Sequence, residues 1–340
     1  MQQFMNSRDT LVTDAINGLI RVSGGSLARL DGYPHIRVVV RADWDKARVA
    51  LVSGGGSGHE PSHAGFVGVG MLTAAVCGDV FASPSVDAVL AGILAVTGKA
   101  GCLLIVKNYT GDRLNFGLAA ERARAFGLKV SMVVVDDDVA LPDLPQARGV
   151  AGTLFVHKIA GALAEQGADL ATVTAAAQKV IAGVASIGMS LDTCTVPGSP
   201  KEDRIAPGQA ELGLGIHGEA GVEQIAFGGA RAAMATMLAR LAPLAGPGAH
   251  VALLNNLGGT TPLEMSVLAD ELAQGVLGGR VAHIVGPATM MTSLDMHGVS
   301  VTLLPVDDDT LALLAAPVGP HAWPGLSPLA EVALRPLPTG

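Results

Sequence analysis

Ser53-Gly54-Gly55-Gly56-Ser57-Gly58-His59-Glu60-Pro61-Ser62-His63-Ala64-Gly65 is the stretch around which the chain is organised. It follows an apolar run, Val49 to Val52, that reads as a buried strand. Three consecutive glycines, then Ser57 and Gly58, let backbone approach a partner with no Cβ in the way. Two histidines and a carboxylate follow at once. A glycine-rich turn after a strand, carrying titratable groups, is where an open α/β sheet places its ligand.

Working outward, apolar runs and helical patterns alternate. Val38–Val40, Cys102–Val106 and Val130–Val135 read as strands. Asp9–Ile20, the segment after Ser83-Pro84, Leu114–Phe126, Leu154–Glu165 and Leu170–Val184 read as helices, with Asp9 and Ser83 as caps. The alternation predicts βαβ units, with strands buried on both faces. Residues 192–212 are polar and rich in Pro and Gly. A boundary just before them gives α/β domains at 1–187 and 188–340. The second half repeats the rhythm with strands at Val251–Leu254, Val281–Val285 and Val299–Leu304. Thr261-Pro262-Leu263-Glu264 reads as a capping box that opens a helix to about Gln274. The expected class is two α/β domains with largely parallel or mixed sheets and a ligand site near strand C-terminal ends.

The chain has 340 residues, 49% of them hydrophobic, and a net charge of −8. The absence of a basic run argues against a nucleic-acid or anionic-membrane partner. Three scattered cysteines with no CxxC, and no apolar N-terminal h-region, fit a reducing cytoplasm. Val86 to Val106 is the most membrane-like stretch, but Asp87, Gly98 and Lys99 break it into core-length pieces.

Several short motifs fail on physics. No GK[ST] follows the glycines, so the loop is not a P-loop, and His59 stands where a nucleophile elbow needs glycine. His59-Glu60-Pro61-Ser62-His63 matches HExxH, yet glycines before it and Pro61 within it deny it the helix that a zinc hydrolase needs. Asp136–Asp138 and Asp307–Asp309 read as solvated turns, with a metal site the minority reading. The turn from Asn255 to Thr261 either holds an anion or only caps its helix. Lys107 and Asp112 would be an ordinary loop but for their strand-end position. His217, in Gly213-Leu214-Gly215-Ile216-His217-Gly218-Glu219-Ala220-Gly221, has glycines on every side and nothing local to pack against. It reads either as a surface turn or as an imidazole that a ligand can reach.

Nine segments, in order from about residue 49 to 318, together resemble the K (substrate-binding) subunit of dihydroxyacetone kinases. They include VALVSGGGSGHEPSHAGFVGVGML, CGDVFASPS, LLIVKNYTGDRLNFG, GVAGTLFVHKIAGA, ELGLGIHGEAG and LLNNLGGTTPLE. The resemblance implies covalent binding of dihydroxyacetone, with His217 adding to the ketone as a hemiaminal. It assigns Gly56, Ser57, Gly58 and His59 to a loop closing on the sugar. Lys107 and Asp112 become substrate contacts, and Asp112 with His59 the acid/base pair. It also implies no cofactor on this chain. ATP or ADP with Mg would sit on a separate L-type kinase subunit, itself recharged in some systems by a phosphoenolpyruvate-dependent phosphotransferase protein. A homodimer is implied as well.

The chain departs from the family's usual pattern at several places. Ala220 replaces a usual proline, Met290-Met291 precede TSLDM, and Ser266-Val267 stand where ELY-like residues are common. Leu141–Gly149 and the segment between Gly221 and His250 look short. The alternatives are a kinase subunit for a tetrulose such as erythrulose, a non-catalytic sugar-sensing co-regulator, and the zinc hydrolase.

Overall fold

The computed structural model describes residues 3–32, 35–140 and 147–338. Most of the shortened Leu141–Gly149 segment therefore lies outside the described residues.

After helix α1 (Leu11–Arg21), a six-stranded sheet forms from β1 (Leu27–Arg29), β2 (Val38–Arg41), β3 (Ala50–Ser57), β4 (Ala74–Val80), β5 (Cys102–Lys107) and β6 (Val130–Val135). Its order is β1-β2-β4-β3-β5-β6. The β4-β3-β5-β6 portion is parallel, and β1 and β2 join it antiparallel. Helices α2 (Val86–Val96), α3 (Thr110–Ala125), α4 (Thr153–Glu165) and α5 (Leu170–Gly183) cover it. β5 reads as an apolar run from Cys102 to Val106 because the strand is buried throughout, its last residue Lys107 included.

The second sheet uses β7 (Ala185–Ser190), β8 (Gln209–Leu212), β9 (Glu223–Ala226), β10 (His250–Asn256), β11 (Val281–Thr289), β12 (Gly298–Pro305) and β13 (Leu326–Pro328). Helices α6 (Ala230–Leu241), α7 (Pro262–Gln274) and α8 (Asp308–Ala315) accompany it. Its order is β13-β11-β10-β12-β7-β8-β9, and only β10–β11 is parallel. The repeated rhythm thus hides a mainly antiparallel sheet. The boundary expected at 187/188 falls inside β7, which pairs along its length with β12.

One hydrophobic core crosses between the sheets. Leu51, Leu103 and Ile105 share it with Val251, Leu253 and Leu304, with Leu154, Phe155 and Ile159 of α4 in the same cluster. Helix α4 is buried on every side from Thr153 to Ala162, which is why its sequence shows little amphipathic contrast.

Three local expectations are corrected. The glycines Gly54 to Gly56 lie within β3, not in a turn after it. A Cβ on Gly54 would stand 2.2 Å from the Val76 carbonyl oxygen, so glycine there lets β4 lie close. The cap of α2 is Ser85, which accepts from the Ala88 N–H, and the residue before α1 is Thr10, which makes no side-chain capping bond. Asp137 and Asp138 are buried rather than solvated. Asp137 accepts from the Val150 and Gly152 N–H groups and the Ser186 hydroxyl, and Asp138 pairs with Arg148. The expected capping box at Thr261 and Glu264 is present. Asp307 caps α8. No helix is long and apolar enough to cross a membrane among the described residues.

Candidate functional site

The site residues gather where the C-terminal ends of β3 and β5 meet segments of the second sheet. β3 delivers Gly56, Ser57, Gly58 and His59. β5 ends on Lys107, and α3 begins three residues later and carries Asp112 in its first turn. That start, four residues earlier than expected, places Asp112 inside the helix and buries it. The His217 loop follows β8.

The loop from Gly58 to His63 is tied down by the second sheet. Thr292 donates its hydroxyl to the Gly58 and Glu60 carbonyl oxygens at 3.2 and 3.0 Å. The Leu294 N–H reaches the Gly58 oxygen at 2.8 Å. Ser62 donates to the Met290 carbonyl at 2.8 Å. Ser57 spends its hydroxyl on the Gly78 carbonyl at 2.8 Å. Its donated proton therefore helps to fix the loop, and the oxygen keeps its capacity to accept.

His59 is fully buried, with Nδ1 2.8 Å from the Thr292 carbonyl oxygen. A carbonyl only accepts, so Nδ1 carries the proton and Nε2 the lone pair. Nε2 has no hydrogen-bond partner. Burial, with the charges of Lys107 and His217, pushes the imidazole well below its ordinary pKa. His59 is thus a neutral ring with a free basic nitrogen.

His217 supplies the second free nitrogen. Its backbone N–H donates to Glu219 Oε2 at 2.9 Å, and its ring Nδ1 lies 3.3 Å from Oε1. A carboxylate accepts, so Nδ1 donates in this contact and Nε2 is the ring nitrogen left without a partner. Burial pushes the Glu219 carboxyl up, but the hydrogen bonds and charge of His217 outweigh it and hold the group below its ordinary value. The ring is 15% exposed. The packing that its glycine-rich neighbours cannot give comes from elsewhere. Tyr109 meets it edge-on at 4.3 Å, His59 at 4.8 Å and Phe81 at 5.5 Å between ring centroids. Phe81 also stacks on His59 at 5.3 Å. A Cβ on Gly58 would stand 2.8 Å from the Phe81 ring, so glycine is required for that stack.

Lys107 and Asp112 meet across Gly55. A Cβ on Gly55 would lie 2.8 Å from Lys107 Nζ and 3.4 Å from Asp112 Oδ2. Ser83 donates to Asp112 Oδ1 at 2.5 Å. Ser83, expected as a helix cap, is instead the residue that orients this carboxylate. Burial pulls the Lys107 ammonium below its ordinary pKa, against the attraction of Asp112.

The structure therefore brings His59 to His217, and Lys107 to Asp112, with the β3 backbone from Gly55 to His59 joining the two pairs. Sequence reasoning passed over Glu219, Tyr109, Phe81 and Ser83. Glu219 two residues from His217 was the one visible signal; the aromatic rings come from distant segments. Asn255 and Asn256 spend their side chains within the protein. Asn255 holds Met290, Met291 and Ser300, and Asn256 holds Gly258 and Thr260. Their turn thus has a structural use. No group of three or more His, Cys, Asp or Glu side chains placed to hold a metal ion occurs among the described residues.

Comparison with known proteins gives the family. The dihydroxyacetone kinase of Citrobacter freundii is 51% identical over 334 residues, covering 97% of this chain and 60% of that protein. Its crystal structure superimposes with a TM-score of 0.97 at 49% identity, over all of this chain and 63% of that one. The chain thus spans about three-fifths of that relative's length. The dihydroxyacetone-binding subunit DhaK of a PTS-dependent dihydroxyacetone kinase of Listeria innocua is 43% identical over 335 residues, covering 95% of this chain and 100% of that one. A solved structure described as a dihydroxyacetone kinase operon co-activator matches with a TM-score of 0.85 at 29% identity, over 92% of this chain and 98% of that one. The Dak1 domain model matches residues 18–322, and the chain belongs to the Dak1 domain family.

Proposed function

We propose that this chain is the sugar-binding component of a dihydroxyacetone kinase and holds its substrate covalently on His217. The observation that carries this reading is the Glu219 clamp on His217, which engages Nδ1 and leaves Nε2 unbonded beside the free nitrogen of His59. A neutral imidazole adds to a carbonyl but not to an alcohol, so the bond selects short ketoses and aldoses over glycerol. Nε2 bonds to the carbonyl carbon and the C=O π pair moves onto oxygen. The oxygen gains a proton, and the ring loses its Nδ1 proton toward Glu219. The adduct is a neutral hemiaminal, formed with no leaving group.

The second step is phosphoryl transfer to the terminal hydroxyl. That hydroxyl gives up a proton as it attacks phosphorus, and Asp112, aimed by Ser83, is the base, with His59 assisting. Lys107 offers positive charge on the same wall. Phosphoryl transfer depends chiefly on positioning and charge stabilisation, which a pinned substrate serves. In this reading the nucleotide and its Mg²⁺ belong to a separate L-type subunit. That subunit uses ATP directly or is recharged by a phosphoenolpyruvate-dependent phosphotransferase protein. The matches to a Listeria binding subunit over its full length and to three-fifths of the Citrobacter kinase support this division. A cytoplasmic homodimer acting on dihydroxyacetone, or on a tetrulose such as erythrulose, completes the proposal.

Intact-protein mass spectrometry of the chain with dihydroxyacetone tests it. The expected result is a gain of one whole sugar with no loss of water, absent in His217→Ala. No adduct on the wild-type chain would sink the reading. The operon co-activator, similar over nearly its whole length, motivates a second reading as a sugar-sensing regulator. That reading expects the same adduct but no phosphorylated product with any nucleotide-bearing partner.

A further inference from the structure

Lys107 is gripped by a histidine that the reaction above does not use. His63 Nε2 lies 2.6 Å from Lys107 Nζ, and both residues are buried. We propose that His63 is a positioning residue, which takes one N–H of Lys107 and so aims the ammonium past Gly55 at the sugar. The inference rests on the function proposed above.

The argument begins with a count of donors. A lysine ammonium has three N–H groups and no lone pair. One goes to His63 Nε2, and a second makes a long contact, 3.5 Å, with the Gly54 carbonyl oxygen. Among the described residues Nζ makes no ion pair and no further hydrogen bond, which leaves one N–H for a ligand. Nζ lies 2.8 Å from the point where a Cβ on Gly55 would sit, so that donor is available beside the bare backbone of β3.

The same count fixes the state of His63. An ammonium cannot accept, so Nε2 must carry the lone pair and Nδ1 the proton. Nδ1 has no partner, and the ring meets His157 of α4 edge-on at 5.2 Å. Neither nitrogen of His157 is bonded either. Three unpartnered ring nitrogens in one buried cluster are costly to keep, and such groups call for a reason beyond packing. Burial and the nearby charge of Lys107 hold both imidazoles neutral: His63 well below its ordinary pKa, His157 down to about 3. An apolar side chain at 63 would fill the space, but it would leave a four-carbon stem free to swing. His63 therefore serves direction. It is the sole nitrogen acceptor that Nζ has among the described residues.

Two measurements test this. The first needs no sugar: ¹⁵N NMR of the ring nitrogens of His63 in the free chain. The expected spectrum is a neutral imidazole protonated on Nδ1, and a proton on Nε2 overturns the proposal. The second compares His63→Leu and His63→Gln in the assembled kinase, with melting temperature as the folding check. His63→Leu is expected to raise the sugar KM about tenfold or more while kcat changes less than about threefold. His63→Gln keeps an oxygen that accepts from Nζ, and should return KM to within about threefold of wild type. A wild-type KM in folded His63→Leu, or equal losses in both folded variants, overturns the proposal. If the wild-type chain forms no sugar adduct at all, the functional reading fails and this inference with it. An intact wild-type adduct beside an unaffected His63→Leu removes only the role of His63.

Discussion

The Glu219 carboxylate grips His217 twice, at the backbone N–H with one oxygen and at ring Nδ1 with the other. The first contact fixes the loop and the second holds Nδ1 as a donor. Replacing Glu219 with Gln keeps an acceptor but removes the charge that stabilises the Nδ1 proton and receives it as the adduct forms. Hydrogen bonds to charged groups contribute about 1.5–3 kcal/mol, so Glu219→Gln should slow adduct formation roughly 10- to 100-fold. Stopped mixing with mass-spectrometric detection measures that rate. A wild-type rate would remove Glu219 from the mechanism.

Gly55 and Gly54 are neighbours in one strand, yet alanine at each should fail differently. A Cβ on Gly55 meets the tip of Lys107, and with φ at +149° the backbone there is one that L side chains rarely adopt, so alanine strains the strand as well as displacing the lysine. A Cβ on Gly54 meets the Val76 backbone oxygen at 2.2 Å, which cannot move without disturbing β4. Gly55→Ala should therefore weaken sugar binding about tenfold or more, on top of a stability loss of roughly 1–3 kcal/mol from the backbone. Gly54→Ala should destabilise the protein by roughly 1–3 kcal/mol. Paired calorimetric melts and sugar titrations would separate the two. Gly55→Ala with full sugar affinity would contradict the placement of Lys107.

Asp112→Asn should separate binding from chemistry. The asparagine oxygen can still accept from Ser83, so the side chain keeps its orientation. The amide cannot accept the hydroxyl proton. The adduct on His217 should form normally, while turnover with a nucleotide-bearing subunit should fall on the order of 10²–10⁴-fold. A coupled assay beside the adduct measurement shows both. Loss of the adduct would mean that Asp112 binds the sugar rather than deprotonating it.

Much of this was legible in the sequence, and the exceptions share a cause. Long apolar runs such as Cys102–Val106 announced their strands because they are buried on both faces. The class was readable from the alternation of strands and helices, while His59, Lys107, Asp112 and His217 were assigned to a site only through the resemblance to the dihydroxyacetone kinase family. The pairing direction of the second sheet was not, since an apolar strand reads alike beside a parallel or an antiparallel neighbour. The glycines of β3 looked like a turn because glycine lowers strand propensity; close approaches explain them, by Val76 at Gly54, Lys107 at Gly55 and Phe81 and Ala82 at Gly56. Ser83-Pro84 imitated a helix start because a serine before proline fits a cap and a turn equally well. The rings around His217 come from residues 59, 81 and 109, and local patterning is silent about such meetings.

Asp137 gives the fold a pH dependence of its own. It is buried at the junction between β6 and β7, where it accepts from two backbone N–H groups and from Ser186. Burial raises its pKa to about 6, against those hydrogen bonds and with Asp138 adding to the rise. An unfolded aspartate titrates near 3.9, so between about 4 and 6 the folded protein binds the extra proton. Its contribution to stability is full below about pH 4 and is lost as pH rises through about 6. The loss amounts to roughly 2–3 kcal/mol from this group. Asp137→Asn does not titrate and should flatten that slope while leaving the rest of the pH profile in place. Urea midpoints of both proteins at half-unit steps from pH 4 to 7 measure the difference. Parallel profiles would show that Asp137 stays ionised, its two backbone N–H donors and Ser186 outweighing the burial.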